Sequence, residues 1–236
     1  MVNPIMSRKS FRRWVAAVAV FAVTATPVPA AADPGPPGPP EVPAEPMSGA
    51  LAKLEALAIK GRAPKTGYDR DRFGDRWTDD VAVAGGRNGC DTRNDILRRD
   101  LIDLVIKPGS NGCVVLSGVL NDPFTGTSVG FVRGRGTSQE VQIDHVVALS
   151  DAWQKGAAQW DEATRRDFAN DPANLQATIG WVNQQKGDGD AATWLPPNTA
   201  YRCTYVTRIV DIKAAYGLWV TQAEHDAMER VLAGCA

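Results

Sequence analysis

The stretch Val141-Gln142-Ile143-Asp144-His145-Val146-Val147-Ala148-Leu149 reads as a strand with two chemistry-bearing residues set into an apolar run. Val141 and Ile143 alternate toward a core, which sends Asp144 and His145 to opposite faces unless a bulge or a strand end redirects one of them. A carboxylate here needs a partner, because burying it alone is costly. Two readings compete on these residues: a carboxylate hydrogen-bonded in a turn beside a core histidine, or a reactive pair. The chain has 2 histidines. The other, His225, follows Glu224 in a segment that Thr221 and Glu224 cap as a helix, and reads as a half-exposed helix residue.

Upstream, Ser48 can cap a first helix with Leu51, Leu54, Leu57 and Ala58 on one face. A second helix follows Asp91 or Asn94, with Ile96, Leu97, Leu101, Leu104 and Val105 as its buried side, ending at Pro108-Gly109. Cys113 to Leu120 and Ser128 to Val132 read as strands joined by a turn at Asn121-Asp122-Pro123 and Gly126. Downstream the pattern turns helical: Asp151 onward, Glu162 to Asn170, Trp181 to Lys186, Thr199 to Tyr216 and Thr221 to Leu232. The fold class is α+β, a helix-rich domain around a small antiparallel sheet. Trp153, Trp160, Trp181, Trp194 and Trp219 sit in apolar or helical contexts, which assigns them to core packing rather than base stacking.

The N-terminus reads as an export signal over residues 1–32. Arg8, Lys9, Arg12 and Arg13 form a basic region, Trp14 to Val23 an apolar one, and Ala30-Ala31-Ala32 the small residues of a cleavage site. The apolar run is too short to span a bilayer. Residues 33–47 form a proline-rich linker, with 7 prolines in the 14 residues from Asp33 to Pro46, and the folded domain spans 48–236. The 236-residue chain carries a formal net charge of −1. The signal holds four basic and no acidic side chains, so its removal leaves −5. Such a surface gives no general help in approaching nucleic acid.

The four cysteines, Cys90, Cys113, Cys203 and Cys235, fit two disulfides in an oxidising compartment. Three pairings exist; Cys90–Cys113 with Cys203–Cys235 is preferred because it closes two short loops. Widely spread thiols with no CxxC pair argue against zinc. Arg93, beside Cys90, is positioned to pair with an acidic residue.

Asn174 lies in Asp171-Pro172-Ala173-Asn174-Leu175-Gln176, and nine residues later comes Asn183, then Lys186-Gly187. With Asp144-His145 this order resembles the HNH, or His-Me finger, endonucleases. It is most similar to small exported bacterial proteins related to the C-terminal domain of GmrSD-type restriction enzymes. Tyr68 to Trp77, Gly89 to Asn94 and Asp122 to Gly126 extend the likeness, so that it covers Tyr68 to Cys235. The third motif letter is Asn183 rather than His, and an amide oxygen can ligate a hard cation.

The resemblance implies a ββα-metal catalytic motif and a secreted hydrolase, monomeric and free of the membrane after signal cleavage, cutting phosphodiester bonds in DNA or RNA. In that reading His145 is the general base, and Asn174 orients the following loop or His145. Asp144 and Asn183 hold one divalent cation, Mg²⁺ foremost with Mn²⁺ among the alternatives. Lys186 contacts a neighbouring phosphate or is simply a solvated helix-end lysine. Arg135, with Arg133, Arg165 and Arg166, adds a local basic edge. The competing class is a non-catalytic exported binding module on the same scaffold. A metalloprotease lacks its HExxH string, and Ser or Cys triads lack support because His145 is the only plausible base.

Overall fold

The computed structural model describes residues 47–235. The expected signal peptide and the linker lie outside the described residues, except that Met47 already belongs to the first helix, α1 (Met47–Ala56). Ala50 and Leu54 of α1 are buried, where the helix packs on α6 (Arg202–Tyr216) and α7 (Gln222–Ala233). Thr221 caps α7 by accepting from the backbone N–H of Glu224, as its sequence predicts.

Asp91 caps α2 (Thr92–Asp100), accepting from Asn94 N. The helix stops eight residues short of Pro108, which corrects the longer helix expected. Leu101-Ile102-Asp103-Leu104-Val105-Ile106 is instead strand β1 (Leu101–Ile106), paired antiparallel with β2 (Val115–Asp122). Two facts decide it. The segment is dense in residues that favour a pleated surface, and Asp103 takes a left-handed φ of 52° where the β1–β2 register shifts, forming a bulge. Ile102, Leu104 and Val105 are therefore exposed rather than buried. β2 turns into β3 (Thr127–Val132) through Asp122, whose carboxylate accepts from Phe124 N, Thr125 N and Thr125 Oγ1.

The second sheet has two strands, β4 (Val141–His145) and β5 (Leu175–Ile179), antiparallel, with Asp144 opposite Gln176 and His145 opposite Leu175. Between them run α3 (Leu149–Gln154) and α4 (Glu162–Asn170). β5 passes straight into α5 (Gly180–Lys186). The ribbon lies between two apolar cores. Val141, Ile143, Leu175 and Ala177 pack with Ile96, Leu97, Leu120 and Phe131. Ile179 joins the larger core of Leu54, Phe73, Phe168, Ile209 and Met228. Each such side chain contributes about 1.5–3 kcal/mol on burial, so the ribbon is a stiff platform for the residues at its end.

Disulfides Cys90–Cys113 and Cys203–Cys235 form, with Cα separations of 5.2 and 5.9 Å. The first ties the start of α2 to the start of β2, and the second ties α6 to the end of α7. Of the five tryptophans assigned to the core, Trp181 departs: it is 58% exposed on α5. Valine 182, its neighbour, takes the buried face instead.

Candidate active site

β4 ends at His145, and the strand end allows Asp144 and His145 to line one cleft despite their alternation. Asp144 is buried, and its Oδ1 accepts from Lys186 Nζ at 2.8 Å. The same ammonium donates to the His145 carbonyl at 2.6 Å. Lys186 is thus an internal cation holding the β4 terminus from α5, neither solvated nor free for a phosphate, which corrects both expectations for it. Asp144 Oδ2 is buried with no hydrogen-bond partner. Burial pushes the Asp144 carboxyl above its ordinary value, and Lys186 opposes that shift without cancelling it.

His145 Nε2 lies 2.9 Å from the carbonyl oxygen of Ala169. A carbonyl only accepts, so Nε2 carries the proton and Nδ1 keeps the lone pair. The ring stacks on Trp77, centroids 5.9 Å apart and planes 11° from parallel. Trp77 itself has φ 59°, a left-handed conformation uncommon for a bulky side chain and held here partly by Thr92 N donating to its carbonyl. Burial pulls the imidazole pKa down to about 3; the Ala169 carbonyl opposes this, and the charges of Arg70 and Lys186 add to it. The ring is neutral at neutral pH.

Asn174, fully buried, clamps the chain just past the strand. Its Oδ1 accepts from Val147 N at 2.8 Å, and its carbonyl accepts from Val146 N at 2.8 Å. Its Nδ2 donates to the carbonyls of Val147 and Phe168 at 3.3 and 3.4 Å. It touches the loop and not the His145 ring. Asn183, on α5, lines the cleft; its Nδ2 donates to Gln142 Oε1 at 2.9 Å, which leaves Oδ1 facing no protein donor.

The expected basic edge does not form. Arg135 is exposed and is not among the residues lining the cleft. Arg133 donates to the Val115 carbonyl at 2.6 Å, and buried Arg165 to the carbonyls of Arg72 and Trp160. Arg93 finds the carbonyls of Ser138 and Val141 rather than an acid, pinning the start of β4. His225 is buried rather than half-exposed. Sequence reasoning missed Trp77, Gln142 and Arg70, of which Arg70 also lines the cleft. Only the likeness over Tyr68 to Trp77 pointed toward that segment.

The donor set suits a hard divalent cation. Asp144, with one carboxylate oxygen unpartnered among the described residues, and Asn183 both line the cleft beside a neutral imidazole, and oxygen donors are what Mg²⁺ takes. Lys186 occupies only Oδ1 of the Asp144 carboxylate.

A family model described as GmrSD restriction endonucleases, C-terminal domain, matches residues 91–231. An uncharacterized secreted protein of Arthroderma benhamiae is 35% identical over 224 residues, covering 94% of this chain and 98% of the relative. No solved structure matches. Among the described residues no helix is long and apolar enough to cross a membrane.

Proposed function

From the premise that the chain belongs to the family of GmrSD restriction endonuclease C-terminal domains, we propose that it is a secreted, divalent-metal-dependent endonuclease. The observation that carries this reading is the cleft shared by Asp144, His145 and Asn183: a carboxylate oxygen without a partner, a histidine with a fixed tautomer and an uncommitted amide oxygen. β4, β5 and α5 serve as the ββα-metal unit of the His-Me finger. Export is supported by the two disulfides and by the secreted relative.

Asp144 and Asn183 would hold the cation, which would supply charge stabilisation to the phosphate and to the leaving 3′ oxygen. His145 Nδ1 takes the proton of the attacking water as its oxygen bonds to phosphorus and the bond from phosphorus to the 3′ oxygen breaks. The Ala169 carbonyl and the Trp77 ring keep the imidazole in the tautomer and orientation this requires. Asn174 holds the backbone that follows. Lys186 balances the Asp144 charge through Oδ1 without entering the reaction.

One observation favours a second reading, a binding module without catalysis: Lys186 already compensates Asp144. Incubation of the purified chain with plasmid DNA and with RNA, in Mg²⁺ and in EDTA, separates the two. Metal-dependent cleavage that His145→Ala abolishes supports the nuclease. Cleavage by His145→Ala at the wild-type rate, or none by the wild type in Mg²⁺ or Mn²⁺, overturns it.

A further inference from the structure

Few buried polar atoms among the described residues lack a hydrogen-bond partner, and two of them belong to residues lining the same cleft. One is Asp144 Oδ2, already accounted for. The other is Nη1 of Arg70. Their charges are opposite: an acceptor that lacks a cation and a donor that lacks an anion.

Arg70 opens a 3₁₀ turn, Arg70–Phe73, and that turn is anchored tightly. Asp69 caps it by accepting from Asp71 N, Phe73 is fully buried against Trp153 and Phe168, and Arg165 holds the Arg72 carbonyl. The backbone that carries Arg70 is therefore fixed in place, and its guanidinium forms no salt bridge among the described residues. Arg62, Arg87, Arg98 and Arg99 each face a carboxylate, and Arg93, Arg133, Arg165, Arg202 and Arg208 are committed to carbonyls or amides. Burial lowers the Arg70 pKa, and the charge of Arg76 lowers it further. A buried guanidinium N–H without an acceptor costs about 1–3 kcal/mol, and one that lines a cleft calls for an explanation, a bound ligand or water among them.

We infer that Arg70 is the phosphate-binding residue of this cleft, its fork donating to a non-bridging oxygen of the phosphodiester that Asp144, His145 and Asn183 act on. Three facts identify the ligand class. The donor is a guanidinium, whose planar fork matches a phosphate. The cleft is about 210 Å³, below the range for a drug-sized ligand, which suits one diester link rather than a whole nucleoside. The lining charges are consistent with an anion: Lys186 pairs with Asp144 and Lys65 with Asp188, which leaves Arg70 as the lining charge with no ion-pair partner among the described residues. Arg70 lies upstream of the segment that the family model matches, residues 91–231.

The assignment rests on the nuclease reading, so its test uses readouts that separate the two. Cleavage of plasmid DNA in Mg²⁺ is measured for wild type, Arg70→Gln, Arg70→Lys and the surface control Arg230→Ala. Binding of a short fluorescein-labelled DNA strand in EDTA is measured for the same proteins, so that no turnover is needed. Arg70→Gln should cut about 100-fold more slowly, the scale of losing one charge-stabilising donor. It should also bind the strand about tenfold more weakly. Arg70→Lys recovers part of the binding but little of the rate, because it keeps the charge and loses the fork. The thermal midpoint of Arg70→Gln should equal or exceed that of wild type, since a part-buried guanidinium with an unpartnered Nη1 has been removed. A fall in midpoint with unchanged binding would make Arg70 structural and overturn the assignment, as would wild-type cleavage and binding by Arg70→Gln. Arg70-dependent binding by a wild type that cuts nothing would uphold the phosphate site and remove the nuclease. Absence of both binding and cleavage in the wild type would remove both.

Discussion

The ammonium of Lys186 faces the Asp144 carboxylate on one side and the His145 carbonyl on the other, with no water-exposed alternative. Breaking such a pair from one side leaves a buried charge behind, which typically costs roughly 3–5 kcal/mol. Lys186→Met should therefore lower the urea midpoint strongly, and the double variant Asp144→Asn/Lys186→Met should regain most of the loss. Additive losses in this cycle would show that the two groups do not interact. The same residue marks the limit of what sequence could reveal at this scale. Asp144, His145, Asn174 and Asn183 stand out because their order and spacing resemble a known motif. The burial of Lys186 depends on α5 being folded back against β4, and the position of Arg70 on a contact made across more than seventy residues of chain. Neither has a local signature. Even His145 read from sequence is an ordinary imidazole near pKa 6.5; its fall to about 3 comes from tertiary burial.

At the scale of elements, local signals succeeded where a cap or a turn residue set the boundary. Asp161 caps α4, Thr221 caps α7, and the Asp122 turn closes the β2–β3 hairpin. They failed where burial is uniform. Leu175-Gln176-Ala177-Thr178-Ile179 is buried on both faces, so β5 has no alternation to betray it. β1 failed for the opposite reason: its bulge at Asp103 disrupts the period of two, and its apolar residues mimic a helix face. The junction of β5 with α5 carries a sharper constraint. A Cβ on Gly180 would meet the Gln139 carbonyl oxygen at 2.2 Å, backbone that cannot swing aside as a side chain would. Gly180→Ala should thus displace the start of α5, with a cost of about 1–3 kcal/mol. Activity should fall further than stability alone explains, because Asn183 and Lys186 ride on that helix. Gly61→Ala, where nothing lies within 4 Å, is the matched control. Equal thermal midpoints and cleavage rates for the two variants would contradict this account of the junction.

Across the whole molecule, the proposed phosphate site has to work without help from the net charge. The sequence carries a formal net charge of −1, and −5 if the expected signal is removed, so little counterion release should accompany binding, and the proposed Arg70 site would offer one or two phosphate contacts. The slope of log K against log salt for the labelled strand should be about −1 to −2. A slope several times steeper would reveal a basic surface making further phosphate contacts outside the cleft.

Behind the cleft, Lys155 and Lys213 are fully buried among Asp151, Asp190 and Glu224, with Arg62 closing the rim. Three carboxylates face three cations, so the set is neutral while every member is charged. It joins α3, α6, α7 and the loop leaving α5, which also carries the cleft residue Asp188. Burial raises the Asp190 pKa, but the hydrogen bond and charge of Lys155, with Arg62, outweigh it and hold the carboxyl below its ordinary value. An unfolded aspartate titrates near about 3.9. Below that pH the unfolded chain takes up a proton that the folded chain still refuses, so the stabilisation from Asp190 is complete above it and is lost as pH falls through the folded value. Asp190→Asn should accordingly be much less stable than wild type at pH 7, with the gap narrowing as the pH drops below about 4. Urea midpoints of both proteins across that range measure it. A gap of constant size would mean that Asp190 contributes through packing and its backbone contacts alone, with its charge irrelevant to how the loop behind the cleft is held.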